Sequence, residues 1–220
     1  QAYNAMPLGS LGGTQGSSAI GINDTGDVVG WSDTNAGEYH AYYWHAGVMI
    51  DIGTLQGGTE SRALSISNNG VIVGTSKDST GNDRAVKWVK NALGQWEITD
   101  LGTLSGGAFA VANRISDNGK IVGVSGRGSG PAHAFLYVNG AMQDLGILNY
   151  PANLGHSEAL GVNDGGLAVG YAYAPLWGPD HGFLYDGQTT LDITPAGQFS
   201  FARGVSINNH NLVAGILIQP

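Results

Sequence analysis

The chain has 220 residues and a formal net charge of −8, set by 9 Lys plus Arg against 17 Asp plus Glu. So few cations argue against non-specific binding to nucleic acid or to anionic membranes, and no apolar run reaches the roughly 18 residues of a membrane-spanning helix. With 37 glycines, no cysteine and only 12% charged residues, the composition is that of a β protein rich in tight turns, free of disulfides and long enough for one closed domain.

Residues 2–8 enter as the last strand of a unit that the chain then repeats. Ser18-Ala19-Ile20-Gly21-Ile22 is a short apolar run ended by Asn23-Asp24-Thr25-Gly26, a tight-turn signal. Residues 27–31 form a second run, and a polar loop, 32–38, leads to Tyr39-His40-Ala41-Tyr42-Tyr43-Trp44. His45-Ala46-Gly47 then turns the chain into residues 48–52. Each run is short, β-branched or aromatic, and bounded by turn residues, which favours strand over helix. The first hairpin returns as Ser67-Asn68-Asn69-Gly70, Ser116-Asp117-Asn118-Gly119, Asn163-Asp164-Gly165-Gly166 and Asn208-Asn209-His210-Asn211. The second strand meets a glycine each time, at Gly30, Gly74, Gly123, Gly170 and Gly215.

A second phrase sets the period. Asp51-Ile52-Gly53 recurs as Asp100-Leu101-Gly102 and Asp144-Leu145-Gly146, degraded as Asp192-Ile193-Thr194 and, near the start, as Pro7-Leu8-Gly9. From Leu8 through Ile52, Leu101, Leu145 and Ile193 the steps are 44, 49, 44 and 48 residues, a period of solenoids and propellers. Four short strands per period fit a propeller blade. The expectation is an all-β, five-bladed β-propeller forming one domain over 1–220. Its units run at about 8–51, 52–100, 101–144 and 145–192, with a half unit 193–220 completed by 1–7, so that the N- and C-terminal segments share the closing blade. That blade has no sequence for its third strand. Either it is thinner, or flanking residues lie outside this chain, or another subunit fills the gap by association through the incomplete blade.

His133-Ala134-Phe135-Leu136-Tyr137, with His181-Gly182-Phe183-Leu184-Tyr185 and His40-Ala41-Tyr42-Tyr43-Trp44 close to it, resembles the HAF repeat of extracellular bacterial proteins. Arg84-Ala85-Val86-Lys87-Trp88 departs from that motif, while the flanking Asn-Asp-x-Gly and Asp-Leu-Gly-Thr-Leu-x-Gly-Gly elements match it. The resemblance spans essentially the whole chain. It implies a secreted protein whose signal peptide has been removed, and no particular activity.

Strand direction divides the loops into two faces. Turns one-to-two and three-to-four share a face made of stock hairpins. Loops two-to-three and four-to-one share the other, which carries the variable material, and function concentrates on variable loops over a rigid scaffold. On that face Trp31, Tyr39, Tyr171, Tyr173 and Trp177 accompany Asp180. Arg62, Glu158 and Arg203 begin first strands near the axis, where they form either a site or an ion network. His40, Arg84, His133 and His181 begin third strands, as ligand contacts or as plugs of a repeated slot, for instance by a hydrogen bond to a loop carbonyl. Strands ~4.8 Å apart put these histidines too far from one another to share a zinc. The recurring Asp51, Asp100, Asp144 and Asp192 read as turn caps. No calcium loop, phosphate cradle or nucleophile elbow is present, and no metal or cofactor is expected.

The first functional expectation is a lectin-like glycan-binding module, whose candidate contacts are Trp31, Tyr39, His40, Arg62, Arg84, His133, Glu158, Trp177, Asp180, His181 and Arg203. Near-equivalent blades would give several weak sites that act together. The alternative is a polysaccharide-active enzyme. Hydrolysis asks for two carboxylates about 5–9.5 Å apart, and only Glu158 is innermost, which counts against it; a lyase would use a His or Tyr base with Arg to hold an acidic sugar, through His181, Arg62 and Arg203. A cell-surface structural or assembly protein is the third reading.

Overall fold

Turn chemistry cuts the chain into hairpins before any packing is considered. Ala46-Gly47 and Asn139-Gly140 each place two successive residues at positive φ, 47° and 91° in the first and 52° and 83° in the second. That is the two-residue connection whose twist matches paired strands. The Asn-Asp-x-Gly turns close otherwise, with the Gly26 N–H donating to Asn23 O and the Asn23 N–H donating to Asp27 O, both at 3.1 Å.

The computed structural model describes residues 5–128, 130–148, 155–173, 180–195 and 201–218. Among them the protein is all-β, with eighteen strands, all pairing antiparallel, and no helix. The first sheet holds β1 (Gly12–Ile22), β2 (Val28–Thr34), β3 (Tyr39–His45) and β4 (Val48–Asp51) in that order. The second holds β5 (Ser61–Ile66), β6 (Ile72–Lys77), β7 (Asp83–Lys90) and β8 (Trp96–Asp100). β9 (Ala110–Ile115), β10 (Ile121–Arg127), β11 (Gly130–Val138) and β12 (Ala141–Asp144) form the third. The fourth comprises β13 (His156–Val162), β14 (Ala168–Tyr173), β15 (His181–Tyr185) and β16 (Thr190–Asp192). β17 (Phe201–Ile207) and β18 (Val213–Ile218) make a two-stranded fifth.

Each sheet packs its first strand on the sheet before it. β5 lies against β1, β2 and β3, β9 against β5, β6 and β7, β13 against β9, β10 and β11, and β17 against β13, β14 and β15. The apolar core is accordingly split into layers between sheets. Val29, Tyr43, Ile52, Ile66, Val86 and Trp88 fill the first junction. Val73, Leu101, Leu104, Ile115 and Phe135 fill the second, and Val122, Leu145, Leu148, Phe183 and Tyr185 the third. Serines at fixed register pin the connectors. The Leu55 N–H donates to Ser76 Oγ and the Leu104 N–H to Ser125 Oγ, both at 2.9 Å.

The same connector is present at the start of the chain, where no earlier sheet precedes it. Leu11 N–H donates to Ser32 Oγ at 2.9 Å and Ser17 Oγ donates to Gly9 O at 2.8 Å, while Leu8 and Leu11 pack on Val28, Tyr42 and Trp44. The five sheets are not hydrogen-bonded to one another. Of the closing strand expected over 2–8, residues 2–4 lie outside the described residues and 5–8 hold no strand. Among the described residues the fifth sheet has only its first two strands.

Candidate functional site

Arg62 starts β5 beside Ser61 and is paired across the sheet with Thr75. Its guanidinium carbon reaches back over the preceding sheet to lie 5.6 Å from the ring centroid of Trp31 and 5.9 Å from that of Tyr39. The two rings meet edge to face at 4.8 Å, an arrangement favoured by their quadrupoles. A recess of about 270 Å³ opens beside this group, lined by Glu60, Arg62, Thr75, Lys77, Asp83 and Val111. Its Lys77 is tied to Asp83 at 3.2 Å.

Arg203 repeats the geometry three sheets later. It occupies in β17 the place Arg62 has in β5, and its guanidinium lies over Tyr171 of the preceding sheet at 3.9 Å and over Phe201 at 4.6 Å. Asp180 anchors it, accepting from Arg203 Nε at 2.7 Å. The Tyr171 hydroxyl donates to Glu158 Oε2 at 2.7 Å, and Asn113 Nδ2 donates to Glu158 Oε1 at 2.8 Å. Burial, and then the hydrogen bond to Glu158, raises the Tyr171 hydroxyl far above its ordinary value, so this phenol remains a donor. His156 packs against Tyr171 and Tyr173, with ring centroids 6.0 and 5.2 Å away, and burial lowers its pKa against the opposing pull of Glu158. The cluster thus fixes a guanidinium, two carboxylates, a phenol and an imidazole among aromatic faces.

The expected residues therefore fall into two groups. One joins Trp31, Tyr39 and Arg62, and the other joins Tyr171, Glu158, Asp180 and Arg203. Arg62, Glu158 and Arg203 are not an ion network with one another: Arg203 pairs with Asp180, and Glu158 is held by neutral donors. Trp177 lies outside the described residues. His156, Phe201 and Asn113 belong to the second group without having been expected there. Their signal was available, since His156 and Phe201 both sit two residues before the position shared by Arg62, Glu158 and Arg203.

His40, Arg84, His133 and His181 all pair with a carboxylate. Each meets the aspartate that ends its own hairpin: His40 to Asp51 at 2.7 Å, Arg84 to Asp100 at 3.0 Å, His133 to Asp144 at 2.8 Å and His181 to Asp192 at 2.8 Å. The second function of those aspartates is the turn cap read from the sequence, with Asp51 Oδ1 accepting from the Gly53 N–H at 2.8 Å and Asp144 Oδ1 from the Gly146 N–H at 2.7 Å. Burial works to raise Asp144, but the hydrogen bonds from His133 and the Gly146 N–H outweigh it and hold the carboxyl below its ordinary value. These four side chains clamp hairpins.

The opposite face is less monotonous than its turns suggest. Tyr43 and Trp96 lie 5.1 Å apart and enclose the Lys90 ammonium, 4.2 and 4.8 Å from their centroids. The recess there, about 360 Å³, is also lined by Asp27, Asn68 and Asn69. Asp27 is bonded to His45 at 2.6 Å. Burial raises that carboxyl, yet the hydrogen bonds from His45, Asn23 and Thr25 bring it down to about 2.

No protein-family model matches this sequence, and no curated protein matches it at a significant level.

Proposed function

We propose that the protein is an extracellular, lectin-like glycan-binding module. Its blades are those of a five-bladed β-propeller, and its sugar sites lie on the face of the two-to-three and four-to-one loops. One observation carries the reading: at the same register of β5 and β17, an arginine extends over an aromatic ring of the preceding sheet. Sugars bind where a ring face adjoins a few fixed polar groups in an open recess. Trp31, Tyr39 and Arg62 beside the recess that holds Lys77 and Asp83 provide such a set, and Tyr171, Phe201, Arg203, Asp180, Glu158 and His156 provide another. Two related sites on one rigid scaffold favour a multivalent ligand, whose avidity exceeds that of either site. The ring itself is supported by the connector at residues 8–17, which makes the contacts of an inter-sheet linker although no sheet precedes it. In this reading residues 1–7 supply the fourth strand of the fifth sheet. The secreted location rests on the likeness to the HAF repeat.

The test is a glycan array probed with the purified chain, followed by calorimetry on the strongest hit. Trp31→Ala and Arg62→Ala should each weaken binding at least about tenfold, or about 1.4 kcal/mol, with unchanged thermal unfolding. Asp186→Ala, on the hairpin face, should bind as the parent does. Absence of any saturable glycan ligand, or binding that follows Asp186 and ignores Trp31 and Arg62, overturns the reading.

A further inference from the structure

The fifth sheet is uncovered where its four counterparts are sealed. Pairing with the first strand defines an equivalent position in every second strand: Val28, Ile72, Ile121, Ala168 and Val213, opposite Ile22, Ile66, Ile115, Val162 and Ile207. The first four are 9%, 0%, 2% and 0% exposed, whereas Val213 is 39% exposed. The residue that ends the preceding unit behaves alike. Ile52, Leu101 and Leu145 are 4%, 7% and 6% exposed, and Ile193 is 38% exposed. In the sealed junctions these residues share a core with the third strand of the next sheet: Ile52 with Val86 and Trp88, Leu101 with Phe135, and Leu145 with Phe183 and Tyr185. Beside β18 that strand is absent among the described residues, and a groove of about 240 Å³ remains, lined by Gly182, Ile193, Val213, Ile216 and Leu217.

We propose that this groove is a strand-addition site for an extended segment of a separate polypeptide. The four complete sheets define the chemistry of the occupant. In each, the residue opposite the glycine of the second strand is large and buried: Tyr42 opposite Gly30, Val86 opposite Gly74, Phe135 opposite Gly123 and Phe183 opposite Gly170. A small residue precedes it, Ala41, Ala85, Ala134 or Gly182, and an aromatic follows two positions later, Trp44, Trp88, Tyr137 or Tyr185. Gly215 holds the corresponding place in β18, paired with Gly204. The occupant is therefore a strand of pattern small–large apolar–any–aromatic, antiparallel to β18, with its large apolar residue over Gly215 and its aromatic over Val213. Main-chain bonds to the edge would supply affinity and the alternating pockets specificity, as in other strand additions. A second copy of this chain is the weaker candidate. Each of its four strands of this kind is already hydrogen-bonded on both sides within a complete sheet, and donating one would dismantle a buried core. The inference goes beyond the glycan reading and does not depend on it.

The experiment uses a fluorescently labelled synthetic peptide with the sequence of residues 131–138, Pro-Ala-His-Ala-Phe-Leu-Tyr-Val. It should bind the intact protein saturably by anisotropy and raise the thermal midpoint in proportion to occupancy. A peptide with serine in place of the residues corresponding to Phe135 and Tyr137 should bind at least about tenfold more weakly. Ile193→Asp in the protein should produce the same loss with an unchanged circular dichroism spectrum. Leu217→Asp, at a half-exposed position of the same groove, serves the same purpose should the first variant fail to fold. No saturable binding, or equal binding by the serine peptide, overturns the proposal. So does a concentration-dependent dimer, seen by sedimentation, that the peptide cannot dissociate, because that outcome makes a second copy the occupant.

Discussion

Replacing Asp144 with asparagine tests whether the recurring His or Arg at the head of the third strand clamps its hairpin. In the parent, Asp144 Oδ1 accepts from His133 Nδ1 at 2.8 Å and from the Gly146 N–H at 2.7 Å, with Arg127 Nη1 3.8 Å from Oδ2. Asparagine keeps the shape and one acceptor oxygen but removes the charge. A hydrogen bond to a charged group contributes about 1.5–3 kcal/mol. The Asp144 side chain is 36% exposed, which places the expected loss at the lower end, about 1–2 kcal/mol near neutral pH. The pH dependence identifies the cause. The folded-state pKa of Asp144 lies below its ordinary 3.8, so the contribution is complete above that value and disappears as pH falls through the folded-state pKa. Urea unfolding at pH 7 and pH 2.5 should therefore give a difference between parent and variant that is much smaller at the lower pH. A difference independent of pH would trace the loss to packing, and no difference at pH 7 would refute the clamp.

Ser125→Ala should cost about 1–3 kcal/mol by urea midpoint, because it strips the Leu104 N–H of an acceptor 2.9 Å away in a buried connector. Retention of the parent midpoint would show that the serine-pinned connector contributes nothing. Gly74→Ala should be more disruptive than Gly70→Ala. An added Cβ at Gly74 would lie 2.0 Å from Arg62 O, whereas at Gly70 it meets nothing within 4 Å and incurs only the left-handed backbone cost of about 1–2 kcal/mol. The reverse order in thermal unfolding would contradict the tight first-to-second strand approach.

How much of this was legible in the sequence depends on whether a feature is local. The hairpins were, because Asn139-Gly140 and its counterparts dictate their own backbone, and the all-β sheets followed from the runs between them. The clamps on the recurring aspartates were legible in principle. Tyr42, Phe135 and Phe183 face Asp51, Asp144 and Asp192 across tight turns, so the histidine two residues earlier lies diagonal to the same aspartate and within reach of a long side chain. Histidine and aspartate are 11 residues apart in all three hairpins, but Arg84 and Asp100 are 16 apart. The longer turn between β7 and β8 accounts for this, since Val86 still faces Asp100. The pair is therefore conserved by register rather than by spacing within the chain, and a search for a fixed spacing would have discarded the second copy. The arginine–aromatic contacts belong to another class. They form between sheets, where Arg62 reaches Trp31 and Arg203 reaches Tyr171, and no hairpin register relates those positions. Closure is less local still. The repeat counts the sheets correctly, yet it does not say what covers β18, where Val213 is 39% exposed although its four counterparts are at most 9% exposed.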